Sequence, residues 1–214
     1  MQMENTLKRI HTCGVVVVIR GIGAEALART LDAVFAAGVD CVEIAMSVHG
    51  ALKDISRLKE RWADQMIIGA GEVLNGEMAT LADAAQADFC SGIGASPDMV
   101  RASIEHDLLP VPGALTPTEI QVAWHAGASI VKLFPAEMLN AEYISTVRRV
   151  LPRVEVMPSG GISADNAAAF VGAGAFAVGA GRNVVDPALI EAGQFDEVTR
   201  RAREIRDAVL AARE

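Results

Sequence analysis

Eight short apolar runs, each followed by a helix-forming stretch that is mostly Ala-rich, restrict the fold of this chain more than any other feature. The runs are Val15–Arg20, Cys41–Ala45, Met66–Gly71, Asp88–Ser91, Leu108–Pro112, Ile130–Phe134, Val154–Pro158 and Ala175–Val178. They recur every ~20–26 residues, about the length of one strand plus one crossover helix. Within each run the apolar residues are continuous rather than alternating, the pattern of parallel strands covered on both faces. The stretches between them predict helices at Glu25–Ala37, His49–Trp62, Met78–Ala85, Asp98–Glu105, Glu119–His125, Ala141–Val150 and Asp165–Val171. A last helix is predicted over Pro187–Arg213 and an extra N-terminal one around Glu4–His11. Eight such units in 214 residues predict an α/β fold, a (β/α)8 TIM barrel forming a single domain over residues 1–214. An open doubly wound sheet is the competing architecture. It normally has fewer strands and a Gly-rich turn after the first, and Arg20-Gly21-Ile22-Gly23 is only a fragment of that turn.

Local punctuation agrees with these boundaries. Thr116-Pro117-Thr118-Glu119 reads as a helix start with a Thr N-cap, Pro at the first position and Glu completing a capping box. Gly38, Gly127 and Gly174 each follow a helix and precede a strand, as left-handed C-cap residues do. In the last helix Val198, Ala202, Ile205 and Val209 recur at helical spacing, and Arg200, Arg201, Arg203 and Arg206 around them read as a solvated face. With 51% hydrophobic and 21% charged residues there is ample material for a packed core. Aromatics are only 4%, so that core is built from Ala, Val, Ile, Leu and eight Met.

Charge and sorting signals exclude several roles. A net charge of −8 argues against nucleic acid as a partner, which would need a basic surface, but leaves room for a locally positive pocket and a small anionic substrate. The N-terminal stretch lacks the apolar segment of a signal peptide, and no run approaches the roughly 20 apolar residues that span a bilayer. A cytoplasmic location without membrane association is expected. Cys13, Cys41 and Cys90 are far apart in sequence and form no Cys-x-x-Cys pair, so they are expected as buried free thiols. His11, His49, His106 and His125 lack ligand spacing; no metal or cofactor is expected.

In barrels of this kind active sites lie at the C-terminal ends of the strands. The polar residues standing there are Arg20, Glu43, Glu72, Ser91, Lys132, Ser159-Gly160-Gly161 and Gly179-Ala180-Gly181-Arg182. Lys132 is the most diagnostic of them. The chain has four lysines against fifteen arginines, and only Lys132 sits inside an apolar strand. A buried ammonium is either ion-paired or gives way to the free amine, which attacks carbonyls to form a Schiff base. Glu43, interrupting another apolar strand, is the natural companion: a buried carboxylate able to take and give protons. The residues alone leave open whether the two form a catalytic pair or a structural ion pair. Ser159-Gly160-Gly161 before a helix, with the Gly181-Arg182 loop after strand eight, reads as a grip for phosphate or another terminal anion. Taken separately, the glycines also fit plain tight turns.

The same positions carry a resemblance. Val42-Glu43-Ile44, Ile68-Gly69-Ala70-Gly71, Pro112-Gly113 with Thr116-Pro117-Thr118-Glu119, Val131-Lys132-Leu133-Phe134-Pro135-Ala136-Glu137 and Pro158-Ser159-Gly160-Gly161-Ile162 resemble the 2-keto-3-deoxy-6-phosphogluconate (KDPG) / 4-hydroxy-2-oxoglutarate (KHG) aldolase family across nearly the whole chain. The resemblance implies a class I aldolase of carbohydrate metabolism (the Entner–Doudoroff route), assembled as a homotrimer of TIM barrels. It implies that Lys132 forms the Schiff base with pyruvate and Glu43 is the acid/base. Phe134 would line the pyruvate pocket, and Gly160, Gly161 and Gly181 would hold phosphate. The pattern also departs from the family. Ser47 stands where many members have a carboxylate-binding Arg, which Arg20 is expected to replace. Glu72 stands where a Thr is usual and would repel a carboxylate unless Arg20 neutralises it or it carries a proton. Gly92-Ile93 replaces Ser-Pro, and Arg182 replaces a Ser in the anion loop.

The expected activity is cleavage of a 2-keto-3-deoxy-6-phospho sugar acid to pyruvate and glyceraldehyde 3-phosphate. Two alternatives stay open: Schiff-base chemistry on an altered donor, signalled by Glu72 and Ser47, and a phosphosugar-binding paralogue without turnover.

Overall fold

The computed structural model describes residues 2–214. After helix α1 (Gln2–Cys13) come β1 (Val15–Ile19), α2 (Ala24–Ala36), β2 (Cys41–Ala45), α3 (Ala51–Trp62), β3 (Ile67–Gly71), α4 (Gly76–Ala84), β4 (Phe89–Ser91) and α5 (Pro97–Glu105). The second half runs β5 (Leu109–Val111), β6 (Gly113–Ala114), α6 (Pro117–His125), β7 (Ile130–Leu133), α7 (Ala141–Val150), β8 (Glu155–Pro158), α8 (Ala164–Gly172), β9 (Val178–Ala180), α9 (Pro187–Glu191) and α10 (Phe195–Ala211). The pairing is parallel throughout, in the order β5-β4-β3-β2-β1-β9 and β6-β7-β8. A parallel bridge between Ser159 and Gly179 joins β8 to β9 and closes the ring. This is the expected TIM barrel, with α1 as the extra helix. Continuous burial of β2, β3, β4 and β7, and of β1 apart from the partly buried Val18, follows from their largely apolar sequences.

Most boundaries shift by a residue or two, and three differences have a clear local reason. The fifth barrel strand is split into β5 and β6 because Pro112 has no N–H to donate; its carbonyl still accepts from Lys132 N–H at 2.8 Å. The eighth strand begins at Val178 rather than Ala175, since the Ala175 N–H turns back to the Phe170 carbonyl at 3.0 Å. The predicted Pro187–Arg213 helix is two helices separated by a turn at Ala192-Gly193-Gln194. Val198, Ala202, Ile205 and Val209 are buried on α10 as their spacing predicts. Of the arginines around them, Arg200 and Arg201 pair with Glu197 on the same helix, while Arg203 donates to the Ala36 carbonyl at 3.1 Å.

The predicted C-cap glycines, Gly38, Gly127 and Gly174, take φ of +80°, +114° and +103°. At the start of α6, one carboxylate oxygen of Glu119 accepts from the N–H groups of Leu115 and Thr116, both at 2.8 Å, and from the Thr116 hydroxyl at 2.9 Å. These bonds, the Leu115 N–H first, hold the Glu119 carboxyl below its usual range. A depressed folded-state value stabilises the protein above the ordinary glutamate range, and that contribution disappears as pH falls through the folded value. Glu119→Gln is therefore expected to lower stability at pH 7 by about 1 kcal/mol, or ~2–4 °C in Tm. The gap between variant and wild type should close in acid melts; a gap that stays constant with pH would refute the cap's charge dependence.

The three cysteines are buried and free, as expected. Sequence distance misleads about their isolation, however: parallel pairing of β1 with β2 brings Cys13 and Cys41 together beside Asp40.

Candidate active site

Lys132 is the third residue of β7, and Glu43 the third of β2, on strands facing one another across the barrel. Both are buried, at 3% and 0% exposure. Lys132 Nζ donates to both oxygens of Glu43, at 2.9 and 3.1 Å, and to Ser91 Oγ on β4 at 3.0 Å. The three side chains come from the second, fourth and sixth barrel strands. Alternate strands contribute to one interior layer in such barrels, so closure of the ring is what makes them meet. Lys132 and Glu43 are in direct ionic contact, an arrangement compatible with either of the two readings their sequence leaves open. In the sequence Ser91 is only one polar strand end, and no local signal marks it as the lysine's second partner.

Gly71 on β3 makes room for this arrangement. A Cβ there would lie 2.4 Å from Glu43 Oε1, so only glycine leaves the carboxylate its place. An apolar strand ending Gly-Ala-Gly is thus a packing requirement imposed by a buried glutamate on the neighbouring strand.

Above this layer, Arg20 follows β1 and Glu72 follows β3, and their side chains form an ion pair. Glu72 takes a left-handed backbone with φ +58° and is largely covered, while Arg20 is more than half exposed. Of the two conditions under which Glu72 would not repel a carboxylate, an Arg20 counter-charge or a bound proton, the ion pair supplies the first. Ser47 lies exposed in the turn after β2.

Phe134 follows β7 directly and is half-buried. The rim after β8 and β9 collects the other predicted residues. Ser159 is buried, and its carbonyl accepts from the Ala136 N–H at 2.8 Å. Gly160 and Gly161 lead into the N-terminus of α8, Gly161 at φ +74° and with a Cβ position 2.6 Å from Glu137 Cβ, so a side chain there is excluded twice over. Two asparagines missed in the sequence brace this loop. Asn166 Nδ2 donates to the Gly161 carbonyl at 3.0 Å while its Oδ1 accepts from Ser163 N–H at 2.9 Å. Asn183 Nδ2 donates to the Ile162 carbonyl at 2.8 Å, fastening the loop after β9 to the loop before α8. Gly181 opens that second loop and Arg182 stands exposed in it. Two loops tied this way bring the N-terminus of α8 next to the loop that carries Arg182, an arrangement suited to an anion.

A buried amine hydrogen-bonded to a carboxylate and a hydroxyl, with an anion-receptive rim above it, suits imine formation on a small anionic carbonyl compound. The family model described as KDPG and KHG aldolase matches residues 4–201. The 2-dehydro-3-deoxy-phosphogluconate aldolase of Treponema pallidum (strain Nichols) is 34% identical over 194 residues, covering 90% of each chain. The 2-dehydro-3-deoxy-6-phosphogalactonate aldolase of Escherichia coli (strain K12) is 30% identical over 188 residues, covering 86% of this chain and 88% of that one. A solved structure described as native KDPGal superposes with a TM-score of 0.86 at 26% identity, covering 92% of this chain and 95% of the other.

Proposed function

Because the chain belongs to the KDPG and KHG aldolase family, we propose that it is a class I aldolase cleaving a 2-keto-3-deoxy-6-phospho sugar acid to pyruvate and glyceraldehyde 3-phosphate. The observation that carries this reading is the triple contact of Lys132 with Glu43 and Ser91 inside the barrel. Lys132 transfers a proton to Glu43, and its freed lone pair attacks the C2 ketone of the substrate. Glu43 returns the proton to the carbinolamine oxygen, water leaves, and an iminium remains. Glu43 then takes the proton of the C4 hydroxyl. The C3–C4 bond breaks with its electrons passing into the iminium, and the aldehyde departs. Protonation of the enamine at C3 by Glu43, followed by hydrolysis, releases pyruvate and restores the amine. Ser91 Oγ holds Nζ in line between steps. Phe134 walls the donor pocket, and Ser159, Gly160, Gly161, Gly181 and Arg182 receive the phosphate.

Borohydride reduction in the presence of pyruvate tests the scheme. A stable adduct located on Lys132 by peptide mapping is expected, together with aldehyde release from the sugar acid. Well-folded protein that yields neither would refute it. The named relatives act on C4-epimeric sugar acids, so both epimers belong in the assay.

The Arg20–Glu72 pair favours a further refinement. A donor carboxylate must share Arg20 with Glu72, which weakens donor binding relative to an unencumbered arginine. Glu72→Gln removes the competing charge. One charge-assisted hydrogen bond is worth about 1.5–3 kcal/mol, so KM for the keto acid should fall about 10- to 100-fold. An unchanged KM would mean that Arg20 and Ser47 do not hold the donor carboxylate, and would favour the altered-donor reading.

Assembly as a homotrimer in the cytoplasm is part of the proposal. Large exposed apolar residues on neighbouring elements, Leu74, Leu81, Ile93, Ile104 and Val122, support a subunit interface. Among the described residues no helix is long and apolar enough to cross a membrane.

A further inference from the structure

A second set of reactive side chains lies where the strands begin, away from the carbonyl chemistry. Cys13 ends α1 two residues before β1, and Cys41 is the first residue of β2. Their sulfurs and a carboxylate oxygen of Asp40 all lie within 4.8 Å of one another. Both thiols are buried, at 7% and 0% exposure, and neither is in a disulfide. Asp40 is held in a definite pose. Its Oδ2 accepts from Arg9 Nη2 at 2.8 Å, and its Oδ1 lies 3.5 Å from Cys41 Sγ. Arg9 is itself fixed, donating to the carbonyls of Asp64 at 2.7 Å and Gln65 at 2.8 Å. One carboxylate oxygen is therefore committed and the other is turned toward the sulfurs. Cys13 and Asp40 also line a cavity of about 360 Å³ that opens beside α1, shared with Lys8, Thr12 and Arg206.

We propose that Cys13, Asp40 and Cys41 form a binding site for a thiophilic divalent cation of the zinc class, with water from the cavity as the fourth ligand. The donor set decides the ion. Two sulfurs and one oxygen suit zinc-like ions, whereas calcium and magnesium require six or more oxygens. Zinc–sulfur bonds of about 2.3 Å in a tetrahedron put two sulfurs ~3.8 Å apart, within the 4.8 Å that bounds the donor atoms here. Binding displaces one proton from each thiol, and with them go the Cys13 Sγ–H bond to the Val15 carbonyl at 3.2 Å and the Cys41 Sγ–H contact to Asp40 Oδ1, which the metal–ligand bonds replace. The cation, two thiolates, the Asp40 carboxylate and the Arg9 guanidinium then sum to zero charge, so each buried charge has a counter-charge beside it. The Arg9–Asp40 bond is the outer support that metal-ligating carboxylates ordinarily have. The ion would pin α1 to the start of β2, independently of any reaction at Lys132.

Titration of reduced, chelator-stripped protein with cobalt(II) tests the site. A thiolate-to-cobalt charge-transfer band should rise to saturation at one equivalent and vanish when zinc is added. Proton release on zinc addition, read in weak buffer with wild-type protein, needs no variant and should track the same stoichiometry. Cys13→Ser and Cys41→Ser should lose the band. Cys90→Ser should keep it, since that thiol lies on β4 and burial raises its pKa to about 11. Asp40→Asn should retain the sulfur band with affinity about 10- to 100-fold weaker. Wild-type protein showing no band and no proton release would overturn the proposal, as would a band surviving either serine substitution at full intensity.

Discussion

Lys132→Ala is expected to abolish aldol cleavage and pyruvate trapping together. Removing a covalent nucleophile from a preorganised site costs on the order of 10⁴- to 10⁶-fold in kcat. The loss is not only chemical. Glu43 would remain at 0% exposure without the ammonium that now bonds both its oxygens. Breaking a buried pair by deleting one partner destabilises by about 3–5 kcal/mol. Lys132→Arg separates the two effects. It keeps a positive charge beside Glu43, so the melting temperature should recover much of the loss, while a guanidinium forms no imine and trapping stays absent. Measurable pyruvate adduct in either variant would move the nucleophile elsewhere and remove the basis of the proposed mechanism.

Glu43→Gln should give the second largest effect, and one of a different kind. The amide oxygen still accepts a hydrogen bond from Lys132, so the site remains assembled, but no group there takes and returns a proton. General acid–base catalysis contributes about 10²–10⁴-fold, and kcat should fall by that amount. Imine formation with pyruvate should persist at a reduced rate, so borohydride still labels Lys132. Exchange of the pyruvate methyl hydrogens with deuterated water should collapse, since that exchange needs a base at C3. A counterion with no part in proton transfer would instead leave exchange at the wild-type rate in molecules that remain folded. The two variants therefore divide the reaction at the iminium.

Much of the site is legible in the amino-acid sequence because charge is conspicuous inside an apolar strand. Lys132 within Ser129-Ile130-Val131-Lys132-Leu133 and Glu43 within Cys41-Val42-Glu43-Ile44 each defy the burial preferences of their type, and such defiance needs a partner or a task. Ser91 sends no comparable signal, since a serine is tolerated at many strand ends. Asn166 and Asn183 were equally silent, because an amide in a loop becomes informative only when a carbonyl is seen in front of it. The left-handed turn at Glu72 likewise has no marker in a residue type that rarely adopts it.

The fold divides along the same line. The continuous apolar runs and their spacing dictated parallel strands, crossover helices and a closed barrel, because each strand must bury both faces and each helix one. They also determined that two opposite charges would be carried into the interior. Strand limits set by a few hydrogen bonds, such as the start of β9 and the break at Gly193, escaped that logic, since hydrophobic pattern does not report which N–H finds which carbonyl. Which buried groups touch was decided by tertiary structure alone. Lys132, Glu43 and Ser91 lie on alternate strands that meet only when the ring closes, and Cys13 reaches Cys41 only through the pairing of β1 with β2. The cost of burying a charge or a thiol is a local property, written in the residue and its neighbours. Its partner is chosen by contacts between distant segments, which the chain specifies only through the barrel as a whole.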